Sequence, residues 1–284
     1  MNPQSNAVRA GISRSWIEFR ASFTNPQEVV VGYMMMPVIF LGLGLIIGDG
    51  SDEMGVDFSA AMLVGGVSLV IAINGVATVA QVLATEREDG TLLRAKSTPH
   101  GMTGYVVAKV GHIVMMSAFS LLLLLVPAVF LFDGFSPQGI FGMVTLLWVC
   151  LLGLLALAPV GAILGSLITS PKNGVGLAML PVIILFMISG VNIPLEFMPG
   201  WVQVIALTFP IYWVGHGMRA AVFPPEATDL ELFGVWQLPL AAGVLALWAL
   251  VGFLIARPLL QRMARRTSGS RVQAAREEAA KRAY

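Results

Sequence analysis

The residues of this chain that could do chemistry gather in one short stretch. Between Ala84 and His100 the sequence reads ATEREDGTLLRAKSTPH. Six charges, Glu86, Arg87, Glu88, Asp89, Arg94 and Lys96, fall within eleven residues. Charges in such a run bind a protein partner or fix topology; they are not an enzyme's acid–base pair. The three histidines, His100, His112 and His216, form no HExxH pair. The single cysteine, Cys150, has no partner at metal-ligand spacing and excludes an intrachain disulfide. The dipeptide Gly-Lys never occurs, so a Walker phosphate loop is excluded. No catalytic constellation is expected in this chain.

The elements around that stretch are apolar. The chain has 284 residues, 57% hydrophobic and 12% charged, against about 25% charged in soluble domains. This composition is that of an integral membrane protein, and a net charge of +1 gives no indication of a nucleic-acid partner. The first apolar run begins only near Val29 and is too long for a secretory signal core, so no signal peptide is expected.

Six stretches are long enough to span a bilayer, near residues 29–47, 58–84, 105–132, 140–169, 174–191 and 238–256. The sequence therefore predicts an all-α integral membrane protein with six transmembrane helices. Pro37, Pro127, Pro159 and Pro181 lie inside these spans and are expected to kink them. Two Gly-x-x-x-Gly pairs, Gly44 with Gly48 and Gly161 with Gly165, permit close helix approach.

Residues 1–27 are polar but patterned. Val8, Ile12, Trp16, Phe19 and Phe23 fall within about 80° on a helix, with Arg9, Arg14 and Arg20 off that stripe. This reads as an amphipathic helix lying in the membrane interface, or one packed on another part of the protein. The polar stretch at 85–100 is a compact elbow between the second and third spans. Glu86 to Leu93 has helical propensity, Gly90 is permissive and Pro99 is a stop.

Residues 193–219 are apolar but divided by Pro194, Pro199 and Pro210. Trp201 to Phe209, at nine residues, makes about 14 Å of helix, half of a hydrocarbon core. We read this region as an outer re-entrant or interfacial helical hairpin before the last span. With six spans, sixteen of the seventeen lysines and arginines fall on one side, Arg219 alone opposite. The positive-inside rule then puts both termini, the elbow and the basic tail 257–284 in the cytoplasm, in a multi-pass protein of the plasma (inner) membrane.

No predicted span carries a charge at its centre, which argues against ion or proton coupling. Lys109 lies one turn inside its span and can snorkel. One polar stripe does cross the membrane. Asn74, Thr78, Gln81 and Thr85 share a face about 60° wide and either hydrogen-bond between helices or line a translocation path.

Two stretches together resemble the membrane permease of a type-2 ABC exporter, of the drug or lipid exporter branch. Glu86-Arg87-Glu88-Asp89-Gly90-Thr91-Leu92, followed by Arg94, Thr98 and Pro99, is similar to the family's Glu-Arg-Glu-x-Gly-Thr-Leu coupling helix. Ser189-Gly190, Pro194, Glu196, Pro199, Trp201, Pro210, Tyr212 and Arg219 resemble its outer segment between the last two spans. Ala95 and Lys96 stand where the family more often has an apolar pair, and Asn192 where an apolar residue is usual.

The resemblance implies a transmembrane domain over 28–256. It implies coupling to an ATPase through Glu86, Arg87, Glu88, Gly90, Thr91 and Arg94. The outer hairpin, with Pro194, Glu196, Pro199, Trp201, Tyr212 and Arg219, is the candidate outer gate, because irregular backbone there must border protein or water. Asn74, Thr78 and Gln81 are the candidate translocation path. Two ABC ATPase subunits and a second permease, identical or not, are the implied partners besides the lipid bilayer. ATP and Mg would be bound by the ATPase, with no cofactor or metal in this chain. The expected cargo is a hydrophobic or amphipathic small molecule, as in antibiotic efflux and resistance, or a lipid. A polysaccharide exporter, or a scaffold without transport, would share the bundle.

Overall fold

The computed structural model describes residues 3–47, 56–88, 91, 95, 97, 101–168, 171–191 and 193–266. Helix α1 spans Pro3–Ser22. Asn25 and Pro26 then turn the chain into α2, Pro26–Ile46. The remaining helices are α3 (58–88), α4 (Gly101–Leu131), α5 (Gly139–Leu167), α6 (Pro171–Met187), α7 (Gly200–Thr208), α8 (Pro210–Val222) and α9 (Leu238–Arg266).

Five helices among the described residues, α2, α3, α4, α5 and α9, are long and apolar enough to cross a membrane. The predicted span at 174–191 is α6, whose 17 residues make about 26 Å of helix, short of a ~30 Å hydrocarbon core.

Helix α3 is the axis of the bundle. Its sequence is rich in Ala, Gly, Val and Ser, and it is buried nearly all round by α2, α4, α5 and α8. Helix α5 packs against α3 on one side and α9 on the other. The Gly161–Gly165 pair lets α5 close onto α3: a Cβ at Gly161 would lie 2.5 Å from the carbonyls of Gly75 and Val76. Gly44, by contrast, meets the ring of Phe132, and Gly48 lies outside the described residues.

Pro37 has a visible structural consequence. Proline has no N–H for the carbonyl four residues back, which is Tyr33. Helix α2 widens into a π turn at Val30–Met34, and the Ser120 hydroxyl of α4 donates to the Tyr33 carbonyl at 2.7 Å. The kink thus ties α2 to α4. A second π turn, Ile73–Thr78, lies in the middle of α3.

Helix α1 has two faces. Ala7, Gly11, Ser15, Glu18 and Ser22 recur at steps of four, four, three and four and dock along α4. The crossing is tight: a Cβ on Gly11 would lie 2.7 Å from the Gly104 carbonyl, and one on Gly111 2.7 Å from Ser15 Oγ. The apolar stripe repeats the same steps one residue later, rotated by about 100°. Of that stripe Phe19 is half-buried, whereas Val8, Ile12, Trp16 and Phe23 stay exposed, Ile12 at 59%. What packs on the protein is therefore mainly the small, polar face, joined at the end of α1 by Phe19 and by Phe23, which meets Phe119 of α4 edge-on at 5.2 Å.

Candidate functional site

Helix α3 does not stop at the end of its apolar run. It continues through Glu88, so Glu86, Arg87 and Glu88 form its last turn. Glu86 is turned inward and buried. Its carboxylate accepts from the Tyr105 hydroxyl and pairs with Lys109, both on α4. The same ammonium lies 2.7 Å from Glu18 on α1, which also takes Arg14 at 2.7 Å. Burial alone would raise the Glu18 carboxyl, but hydrogen bonds from Lys109 and Arg14 outweigh it and hold it below the usual range. One turn along, Ser22 Oγ lies 2.9 Å from His112 Nε2. Lys109 therefore does not snorkel to solvent; it joins α1 and α4 to the base of the elbow.

Arg87 acts on the opposite side. Its guanidinium donates to the Ile168 carbonyl, 3.1 Å away, at the C-terminal end of α5. A cation there complements the helix dipole and serves a carbonyl with no helical partner. Thr91 is half-buried and makes an interaction of its own. Gly90 and Arg94, with the side chain of Glu88, lie outside the described residues.

The expected outer gate divides in two. Glu196, Pro199 and Trp201 are exposed and Pro194 is half-buried, whereas Tyr212 and Arg219 are buried on α8. Every residue of α8 is buried. Helices α7 and α8 break at Phe209–Pro210, where Phe209 is extended. The carbonyls left over at the end of α7 are taken by indoles, Trp213 donating to Leu207 at 2.8 Å and Trp248 to Thr208 at 2.7 Å. Trp213 is thus an internal strut.

Tyr212, His216 and Arg219 lie at i, i+4 and i+7 on one face of α8 and converge on Glu231. Arg219 Nε donates to Oε1 at 2.5 Å. The Tyr212 hydroxyl donates to Oε2 at 3.1 Å, and His216 Nδ1 lies 2.8 Å from the same oxygen. Burial would push this carboxyl up, but the Arg219 charge and the His216 and Arg219 hydrogen bonds hold it at about 2. Glu231 and His216 were not among the expected gate residues. The spacing on α8 was a usable signal; the acceptor, on another segment, was not.

The polar stripe on α3 is not a uniform wall. Asn74 is buried inside the π turn and its Nδ2 has no hydrogen-bond partner. Thr78 and Gln81 are half-buried, with Gln81 Nε2 3.5 Å from Thr85 Oγ1 and Gln81 Oε1 unpaired. The π turn winds fewer degrees per residue than an α-helix, so Asn74 is rotated off the line of the other three.

Residues 21–257 match the model of the ABC-2 family transporter protein. The chain belongs to the ABC-2 transporter family. It is the membrane permease of a type-2 ABC transporter. No curated protein matches it. The match runs from the end of α1 into α9, to residue 257, covering every site above except Arg14 and Glu18. An ABC-2 permease is a multi-pass transport subunit, not itself catalytic, and works with an ABC ATPase. In this permease the buried, cross-braced end of α3 is the part of the helix axis that leads into the elbow.

Proposed function

We propose that this permease belongs to an ATP-driven exporter that moves a hydrophobic or amphipathic small molecule, or a lipid, out of the cell. The observation that carries the reading is the anchoring of the elbow. Glu86 and Arg87 brace the end of α3 against α1, α4 and α5. A charged turn held rigidly on the bundle axis transmits a push from an ATPase; a loop that only joined two spans would need no such bracing.

In this reading the protein makes six crossings of the plasma membrane, with α6 as the fifth and both termini cytoplasmic. Helix α1 lies in the interface, its exposed Ile12 and Trp16 in lipid and Arg9 and Arg20 toward anionic headgroups. The stretch from Glu88 through Gly90, Thr91 and Arg94 meets the ATPase, with two ATPase copies and a second permease completing the transporter. ATP and Mg are held by the ATPase. Thr78 and Gln81 face the path, and the α7–α8 hairpin re-enters the membrane from outside as its gate.

The cargo follows from charge. Among the described residues, the candidate spans carry no charged side chain deeper than Lys109, so a polyanionic cargo would meet no compensating groups. The test expresses the permease with its ATPase and follows dyes, antibiotics and labelled lipids. Reduced accumulation that depends on both chains is expected. Loss of a surface glycan on deletion, with no change for any small molecule, would overturn the cargo assignment.

A further inference from the structure

The carboxylate of Glu231 joins three parts of the chain that the sequence keeps apart. Arg219, which holds Oε1, also donates to the carbonyl of Gly190, 3.3 Å away, just past the end of α6. His216, which faces Oε2, has its other ring nitrogen on the backbone N–H of Gln237, at 2.9 Å. Gln237 immediately precedes α9, and its own carbonyl accepts the Ala241 N–H of the first turn. The end of α6, the whole of α8 and the start of α9 are therefore tied to one buried side chain.

The hydrogen-bond pattern fixes the state of His216. A backbone N–H can only donate, so His216 Nε2 must accept and carries no proton. The single ring proton is on Nδ1, where it donates to Glu231. His216 is a neutral bridge, donor at one end and acceptor at the other. Its charged neighbours are Glu231 and Arg219, which cancel. Tyr212 stacks on the ring from one side and Trp236 meets it edge-on, so water is kept out.

A buried pair of this kind is weak evidence for added stability, because desolvation offsets much of its attraction. What it gives is a defined arrangement of the parts it joins. We propose that Glu231 is the positioning residue of an outer latch, closed through Arg219 and the neutral bridge of His216, that holds the α7–α8 hairpin against the start of the last span and so limits access to the interior from outside. This rests on reading the hairpin as the exporter's outer gate. The latch deepens that reading by naming what keeps the gate shut.

The test uses full-length protein in intact cells, in a Cys150→Ala background with one cysteine replacing Ser189. Ser189 is buried beside Gly190, at the junction the latch closes. An impermeant thiol reagent added outside should label this site slowly in the parent and at least tenfold faster in Glu231→Gln, with equal amounts of inserted protein. His216 supplies the second arm. Glutamine can both donate to Glu231 and accept from Gln237, so His216→Gln should label like the parent. Lysine can only donate, so His216→Lys should label as fast as Glu231→Gln. Equal labelling of Glu231→Gln and parent, or equal labelling of the two His216 variants, would overturn the latch. Ser136→Cys, on an exposed loop, reports sidedness separately. If it reacts only in inside-out vesicles, the outward placement of the hairpin is wrong, whatever the rate at Ser189.

Discussion

Lys109 pairs with Glu86 in the interior of the protein, in the last turn of the helix that leads into the elbow. It pairs with Glu18 at the same time, so one ammonium balances two carboxylates from two other helices. Removing it would leave two negative charges facing each other in a mostly buried site. Lys109→Met should cost about 3 kcal/mol of stability, the low end of the range for breaking a buried pair, because the site is partly exposed. Thermal unfolding of the detergent-purified permease checks this. Adding Glu18→Gln should recover part of the loss, since one repelling charge then disappears. A double variant no more stable than Lys109→Met would mean that Glu18 does not share the site.

The docking of α1 can be tested face by face. Gly11 sits against the Gly104 backbone with no room for a side chain, whereas Ile12 is exposed. Gly11→Leu should separate α1 from α4 and lower stability by about 1–3 kcal/mol. Ile12→Ser should leave the unfolding temperature in detergent unchanged and weaken the protection of α1 from protease in liposomes. Loss of stability from Ile12→Ser, with none from Gly11→Leu, would reverse the assignment of the two faces.

Much of this architecture is legible in sequence. The apolar runs at 58–84, 105–132 and 140–169 return as α3, α4 and α5, with ends shifted by a few residues. The shift at α3 has a physical reason. A helix continuing into charged residues loses its hydrophobic signal but not its hydrogen bonds, so the run ends at Ala84 and the helix at Glu88. The stripe on α1 is visible as a period, but that Val8, Ile12 and Trp16 face away from the protein follows only from the Gly11–Gly104 contact. Lys109 shows the limit most clearly. An isolated lysine near a span end reads as snorkelling, because periodicity along one helix says nothing of carboxylates on two others. Glu231 is hidden for the same reason, its partners lying 12 to 19 residues away across a loop.

Acid should weaken the outer network. The Glu231 carboxyl is held at about 2, below its ordinary 4.5. A carboxyl depressed on folding contributes stability that is full above its unfolded value and is lost as pH falls through the folded one. The contribution is on the order of a few kcal/mol. The unfolding temperature of the parent should exceed that of Glu231→Gln above about pH 4.5, and the gap should close as the pH falls toward 2. A gap independent of pH would mean that the charge of Glu231 contributes nothing.

The six-crossing topology predicts sidedness at positions far apart in the chain. In a Cys150→Ala background, Thr228→Cys should react with an impermeant thiol reagent from outside, and Ser268→Cys only after the membrane is opened. Labelling of Ser268→Cys in intact cells would mean an odd number of crossings. The first candidate for the extra one is the α7–α8 pair, whose two helices would then run through the membrane in series.

The half-buried polar groups of α3 give the last prediction. Thr78 and Gln81 are half-buried on α3, and Gln81 Oε1 is shielded within the chain with no hydrogen-bond partner. Hydrocarbon does not satisfy such groups, so either water or a second permease copy must meet them. The two cases separate experimentally. If they line an aqueous path, Thr78→Cys and Gln81→Cys react with a small charged thiol reagent, and a transported compound slows the reaction. If they are buried between two copies, the same cysteines cross-link to themselves under mild oxidation and resist the reagent. Leu122 on α4 is the control. It is 58% exposed and apolar, as a lipid-facing residue should be, so Leu122→Cys should neither react nor cross-link. Because Thr78 and Gln81 lie one turn apart on the same side of α3, both should respond alike. Thr78 and Gln81 behaving like Leu122 would place this stripe against lipid and remove it from the transport path.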